Sequence, residues 1–337
     1  MSREDQIARA LIAHLRRAAA APQLEIAEPP VPLAGGFDTE IYGLRLQATP
    51  AALRAPLVLR VLRPHHDPAM ILREQAVQNA LADRGYPAPR VVHVCVDREP
   101  LGAPFLLMER MPGTSLLSTG PVGMDRLLLD AQLRLHALDP KPLVDALGDR
   151  STFDGYLAAL ERRVDGSALS GLVEMARWLR ERRPAPSAPP VICHGDLHPQ
   201  NVLVDHGWIS GVLDWPNALI ADAAFDVAST WVILRFAPVG LASMSAGRRF
   251  LVRFGQPMLA ARYLRGYRRR RSIDPACLPY YEVAAAMRAL VRAGEMRSRS
   301  ADGRGVSALD RSEFADRLLA HAIRASGVAA TLPAHAR

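Results

Sequence analysis

Apolar and polar residues alternate with a period of two across much of residues 41–111, and with a spacing of three to four across most of the chain beyond. IYGLRLQ, PLVLRVLR, RVVHVCVD and PFLLMERM read as four strands, with helical spacing only at 68–84 between the second and the third. Asp67 stands where that helix needs an N-cap, Pro68 fits its first turn, and Gly85 ahead of Pro87 ends it. After Met111-Pro112-Gly113 the pattern becomes helical in LLLDAQLRLHAL, YLAALERRV, LVEMARWLRERR and YYEVAAAMRALVRA. One β-like interruption, NVLVDHGWISGVLDW at 201–215, reads as two strands around a turn at Asp205, His206 and Gly207. At the start of the chain Ile7, Leu11 and Leu15 form a one-sided helical stripe, and the proline- and glycine-rich EPPVPLAGG (28–36) marks a boundary after it. The pattern predicts an amphipathic helix in 1–28, a small sheet with one helix in 29–111, and a mainly helical region in 112–337 that carries the hairpin.

Composition adds exclusions. The chain has 337 residues, 49% hydrophobic and 23% charged, without an apolar run of the length a membrane-spanning helix needs, so no membrane insertion is expected. Its first residues carry acids early and lack a continuous apolar core, which argues against a signal peptide. Cys95, Cys193 and Cys277 lie far apart with no CxxC pair, a distribution that speaks against a disulfide framework and for a reducing, cytoplasmic setting. The net charge of +8 comes from a chain with a single lysine, Lys141, so the basic residues are almost all arginine. No basic face interleaved with aromatics and no recognisable module points to nucleic acid. The arginines concentrate in 251–300, including RGYRRRRS at 265–272, a block that reads as a solvated helix face or as a surface for an anionic ligand.

The chemistry-bearing residues cluster in VICHGDLHPQNVLVD, 191–205. His194 and His198 have the spacing of a helical metal pair, but Gly195 and Pro199 make a helix implausible there, and no third ligand waits nearby. The same letters give a kinase order: Asp196 to accept the proton of a hydroxyl, then Asn201, then Asp214 at the end of a strand, two oxygen ligands suited to magnesium. A kinase also needs a strand cation near the nucleotide phosphates, and Arg60 in PLVLRVLRP shares a face with Val58. Glu74 falls in the apolar stripe of the following helix with Met70, Val77 and Leu81, and a buried carboxylate needs a cationic partner, which Arg60 can supply. Gly35, Gly36 and Thr39 stand at a tight turn where amides and a hydroxyl can approach phosphate. Glu109 and Met111 lie where a kinase presents backbone to adenine.

The order GGFDT, LVLR, ILRE, PFLLMERMPG, CHGDLHPQN, GVLDW and ADAAFD resembles the aminoglycoside phosphotransferase and choline kinase-like family of small-molecule kinases, over about residues 30–295. The resemblance implies an α+β, bilobal, protein-kinase-like fold, with a small N-terminal antiparallel sheet carrying one helix and a larger, mainly helical C-terminal lobe. It implies Asp196 as catalytic base, Asn201 and Asp214 as magnesium ligands, Arg60 with Glu74 as the phosphate-positioning pair, and His194, His198 and Asp226 as supports of the catalytic loop. A plain helix N-terminal acid is the other reading of Asp226. The implied cofactors are ATP, or GTP in its place, and Mg2+; the implied partner is a small-molecule hydroxyl acceptor. Two departures matter: arginine replaces the lysine of the best-known antibiotic kinases, and the arginine-rich late half suits an uncharged or anionic acceptor better than a polycationic aminoglycoside. A hydroxyacyl-CoA-type kinase and a catalytically silent nucleotide-binding module are the alternatives. A protein kinase is disfavoured, since H-R-D, D-F-G and an activation segment are absent.

Overall fold

The computed structural model describes residues 2–33, 39–47, 53–63, 67–147, 152–166, 169–186, 188–237, 246–299 and 312–333. The chain divides into two compact units, Met1–Ser115 with Leu203–Pro216, and Leu116–Val202 with Asn217–Arg337.

In the first unit, α1 (Arg3–Ala18) starts from a capping box in which Ser2 and Asp5 each accept the other's backbone N–H at 3.1 Å. Five antiparallel strands follow in chain order, β1 (Glu25–Pro32), β2 (Thr39–Gln47), β3 (Leu57–Leu62), β4 (Val91–Cys95) and β5 (Phe105–Glu109), arranged β1-β2-β3-β5-β4. Between β3 and β4 runs α2 (Ala69–Ala82), where Asp67 Oδ1 accepts the Ala69 N–H at 2.9 Å. The alternation in β3 divides the sheet's two faces. Leu57, Leu59 and Val61 pack with Phe105, Leu107 and the Ile7-Leu11-Leu15 stripe of α1, while Leu62 and Leu106 pack with Ile71 of α2.

Two sequence expectations change here. Residues 28–32 of the stretch expected to be a boundary belong to β1, the edge strand beside β2, while 34–36 lie outside the described residues: an open edge tolerates Pro29, Pro30 and Pro32, whose missing N–H groups break no ladder, and the register slips between Ile26 and Val31. The amphipathic helix therefore covers a face of the sheet, and residues 1–28 share the core of 29–111. The hairpin of β8 (Val202–Asp205) and β9 (Trp208–Val212), expected within the helical half, groups with the first unit from Leu203 onward. The cause is a set of anchors. β6 (Thr114–Ser115) pairs with Val204 and Leu203, the Ser210 hydroxyl donates to Pro112 O at 2.7 Å, and the Val212 N–H donates to Pro87 O at 2.7 Å. The turn has the positive φ angles, 49° at His206 and 84° at Gly207, that let a two-residue loop follow the strand twist.

The second unit is mainly helical: α3 (Met124–His136), α4 (Lys141–Leu147), α5 (Phe153–Gly166), α6 (Val173–Glu181), α7 (Ala223–Phe236), α8 (Ala246–Arg270), α9 (Leu278–Arg299) and α10 (Ser312–Ser326). A short antiparallel pair, β7 (Val191–Cys193) with β10 (Leu219–Ala221), sits among them. Helix α7, capped by Asp222 Oδ1 on the Ala224 N–H at 2.8 Å, is apolar on nearly every side and buried, as a central helix must be. On α8, Tyr263 and Tyr267 turn inward, while Arg262 and Arg270 pair with Asp125 and Asp130 of α3 at 3.0 and 2.6 Å. Part of the arginine block is thus an ion-paired helix face. Among the described residues no helix is long and apolar enough to cross a membrane.

Candidate active site

In the first unit one guanidinium joins two acids. The two-residue alternation of β3 turns Arg60 to the α2 side of the sheet, where its Nη1 donates to Glu74 Oε1 at 2.5 Å. Its Nη2 lies 3.6 Å from Asp214 Oδ1. The Glu74 side chain is 2% exposed and also accepts from Gln78 Nε2 at 3.0 Å. Burial pushes its carboxyl up to about 7; Arg60 opposes the rise and Asp214 adds to it. Asp214 differs, being 43% exposed and holding φ at 68°, a left-handed conformation uncommon for a residue other than glycine. The residues around it impose that turn: Val212 is tied to Pro87, and buried Trp215 donates its Nε1–H to Val212 O at 2.8 Å and meets the Tyr86 ring edge-on at 5.7 Å. Buried Arg60 Nε finds no acceptor among the described residues.

The remaining first-unit candidates are more ordinary in their surroundings. Thr39 opens β2 opposite Leu62 and is buried. Glu109 closes β5 opposite Leu57, its N–H donated to Arg90 O at 2.9 Å. Met111 lies against Gly211, where an added methyl would come within 3.0 Å of Met111 Cβ. Gly35 and Gly36 fall outside the described residues.

In the second unit the loop after β7 is bound from within and from below. The His194 Nδ1 accepts the Asp196 N–H at 3.2 Å, and the His198 Nδ1 accepts the Gln200 N–H at 3.3 Å, so each imidazole caps its own loop's backbone. Asn201 donates Nδ2–H to Asp196 O at 3.0 Å, which leaves its amide oxygen as the acceptor for anything else. Gly195 has φ of 74°, and a methyl there would come within 2.6 Å of Asn217 O, so this position takes only glycine. Its N–H donates to Asp226 Oδ1 at 2.6 Å.

Asp226, in the first turn of α7, is fully buried and has a second set of partners. Its Oδ2 accepts from Gln132 Nε2 at 2.9 Å and lies 3.0 Å from His136 Nε2. Behind these, Tyr263 donates to Gln132 Oε1 and Tyr267 meets His136 Nδ1 at 2.6 Å. Burial alone would raise the Asp226 carboxyl, but the hydrogen bonds and charge of His136, with those of Gln132 and Gly195, hold it below the ordinary range. Cys193 stands close enough that His136, Cys193 and Asp226 could share an ion. Burial lifts that thiol well above its usual range and Asp226 already has three N–H partners, so the cluster works as a hydrogen-bonded support.

Asp196 itself is 21% exposed. Arg288 of α9 donates Nη2–H to its Oδ1 at 2.8 Å, and Asn217 Nδ2 reaches its Oδ2 at 3.5 Å. Burial would raise this carboxyl too, but Arg288, then His198, His194 and Arg292, outweigh it and hold it below the usual aspartate range. Sequence reasoning missed Arg288, Asn217, Gln132 and His136. A signal for three of them was present: each is a polar residue inside an apolar helical stripe, as Glu74 is.

Within the first unit an exposed carboxylate and a buried guanidinium N–H without an acceptor among the described residues are donor types that suit magnesium and phosphate, and within the second the Asn201 amide oxygen is a hard donor of the same kind. The model of the phosphotransferase enzyme family matches residues 30–281. The chain is 27% identical over 172 residues to acyl-CoA dehydrogenase family member 11 of Gallus gallus, covering 46% of this chain and 22% of that protein. It is 30% identical over 188 residues to an aminoglycoside 3'-phosphotransferase of Streptomyces fradiae, covering 51% of this chain and 67% of that one. A solved aminoglycoside phosphotransferase, APH(4)-Ia in ternary complex with AMP-PNP and hygromycin B, shares the fold with a TM-score of 0.62 at 15% identity, over 94% of this chain and 98% of the other. The chain spans about a fifth of the length of the acyl-CoA dehydrogenase relatives it matches. With its small antiparallel sheet, its helical second unit and a family match over most of its length, this chain belongs to the phosphotransferase enzyme family.

Proposed function

We propose that the chain transfers the γ-phosphate of ATP, with magnesium, to a hydroxyl group of a small molecule. The observation that carries this reading is the state of Asp196: a carboxylate held ionised, braced by a loop whose amide rests on buried Asp226, and partly open to solvent. The AMP-PNP and ADP of neighbouring structures support an adenine nucleotide over GTP. In the first unit, Arg60 steadied by Glu74 would hold phosphate oxygens, and Asp214 would be a magnesium ligand. In the second unit, the Asn201 amide oxygen would be an oxygen donor suited to magnesium. Magnesium, when bound, supplies charge neutralisation on the phosphate oxygens. Asp196 accepts the proton of the acceptor hydroxyl as the new O–P bond forms and the bond to the bridging oxygen breaks, so that ADP leaves with the electron pair. Its low pKa suits a reaction in which positioning matters more than proton abstraction.

The acceptor is best read as uncharged or anionic, since Arg288 and Arg292 both bear on Asp196 and would repel a polycation. The match to proteins named as acyl-CoA dehydrogenase family members favours a hydroxyacyl-CoA as a second reading. Product formation from Mg·ATP over a panel of hydroxylated acceptors tests the proposal. The wild type should phosphorylate at least one, and Asp196→Ala should lower kcat about 10²- to 10⁴-fold. Nucleotide binding without transfer to any acceptor would make the chain a silent binding module instead.

A further inference from the structure

The pairing of Arg288 with Asp196 is not what proton transfer alone requires. A guanidinium 2.8 Å from a base makes it a weaker base, and it occupies one of the two oxygens that an acceptor hydroxyl must reach. Arg292 stands one helical turn further along α9, on the same face, and its charge also bears on Asp196. On the same helix Glu295 accepts from Nε and Nη2 of Arg163, each at 2.9 Å. From the loop, His194 and His198 add to the positive side when protonated, and from α5 the buried Tyr156 hydroxyl donates to Ala284 O. Arg288 is thus ion-paired with the carboxylate, and the charge of Arg292 bears on it as well. Arg288 is 20% exposed, so part of its side chain reaches the surface.

We infer that Arg288 anchors an anionic group of the acceptor and latches Asp196 until that group arrives: the acceptor is an alcohol with a carboxylate or phosphate near its hydroxyl. This deepens the proposed phosphotransferase reading and rests on it. Ligand-free, the Arg288 fork closes on Asp196. An acceptor anion takes over the fork, Arg288 moves off Oδ1, and the freed oxygen receives the hydroxyl. The geometry limits the acceptor. With hydrogen bonds of ordinary length from hydroxyl to Asp196 and from anion to guanidinium, the two groups lie roughly 3–6 Å apart, which suits α- to γ-hydroxy acids and the corresponding phosphorylated diols. Atoms balance as in the parent reaction: the hydroxyl proton passes to Asp196, its oxygen bonds the γ-phosphorus, and ADP departs.

The test compares matched acceptors on the full chain with Mg·ATP: a hydroxy acid, its methyl ester, its coenzyme A thioester and its amine analogue, with a phosphorylated diol and its neutral parent as the second arm. The wild type should favour the anion over its neutral partner by at least about tenfold in kcat/KM in one arm, and that arm identifies carboxylate or phosphate as the anchor. Arg288→Gln should cut that ratio by about tenfold or more through KM for the acid, with KM for ATP little moved, and Arg288→Lys should restore part of it. The inference falls if the wild type transfers phosphate with no preference for anions or prefers the thioester. It falls equally if Arg288→Gln slows acid and ester alike, or acts chiefly on KM for ATP, which would assign Arg288 to the triphosphate. Absence of transfer to every acceptor would sink the parent reading and this inference with it.

Discussion

Two buried carboxylates, one in each unit, have been given opposite tasks by their surroundings. Glu74 has one guanidinium and one amide for company and another acid close to its partner, and burial lifts it to about 7. Asp226 is no less buried, yet it gathers a backbone N–H, an amide and an imidazole, and lies below the ordinary range. Desolvation acts on both; the number and kind of donors decides which way each goes. Glu74 is poised to respond when charge arrives beside Arg60, whereas Asp226 is a fixed strut under the loop that carries Asp196.

The comparison breaks most sharply at Asp226. Replacing it with alanine leaves Gln132, His136 and the Gly195 N–H without their acceptor inside the core, and should cost about 3–5 kcal/mol of stability, read by urea unfolding. A loss within the range of a surface substitution would mean that the loop does not depend on this strut.

A smaller effect separates the two acids by pH. The folded pKa of Glu74 lies above its unfolded value, so its contribution to stability is full below about 4.5 and is lost as pH rises through about 7. From that shift, wild-type stability should fall by up to about 3 kcal/mol across the window relative to Glu74→Gln. The depressed pKa of Asp226 gives the reverse sign, with stability present above the unfolded value and lost as pH falls through the folded one. Unfolding measured from acid to neutral pH in wild type, Glu74→Gln and Asp226→Asn should therefore flatten opposite limbs. Parallel curves for wild type and Glu74→Gln would show that the Glu74 carboxyl titrates alike in the folded and unfolded chains.

What could be read in advance follows from how local each signal is. Strands β2 to β5, helix α2 and the β8–β9 hairpin follow from alternation, caps and a His206-Gly207 turn, all set within a few residues. The Arg60–Glu74 pair was legible because a carboxylate in an apolar stripe needs a cation, and the nearest inward-facing one stood 14 residues back. β1 was hidden because its prolines look like a break, and only an open edge makes them harmless. Arg288 shows a different limit: its polar place in a stripe told of burial, but Asp196 is 92 residues away, and spacing within a helix says nothing about a partner that far off. Gln132 and His136 were lost for the same reason, with Asp226 at separations of 94 and 90 residues.

The central claim is a division of labour, with nucleotide held through Arg60 and the hydroxyl activated by Asp196. Affinity for Mg·ATP by titration calorimetry, measured beside the transfer rate in Arg60→Gln and Asp196→Asn, tests it most directly. Arg60→Gln should weaken nucleotide binding by about tenfold or more, while Asp196→Asn should bind nucleotide like the wild type and lose about 10²- to 10⁴-fold in kcat. Transfer by Asp196→Asn at close to the wild-type rate, or full nucleotide affinity in Arg60→Gln, would contradict it.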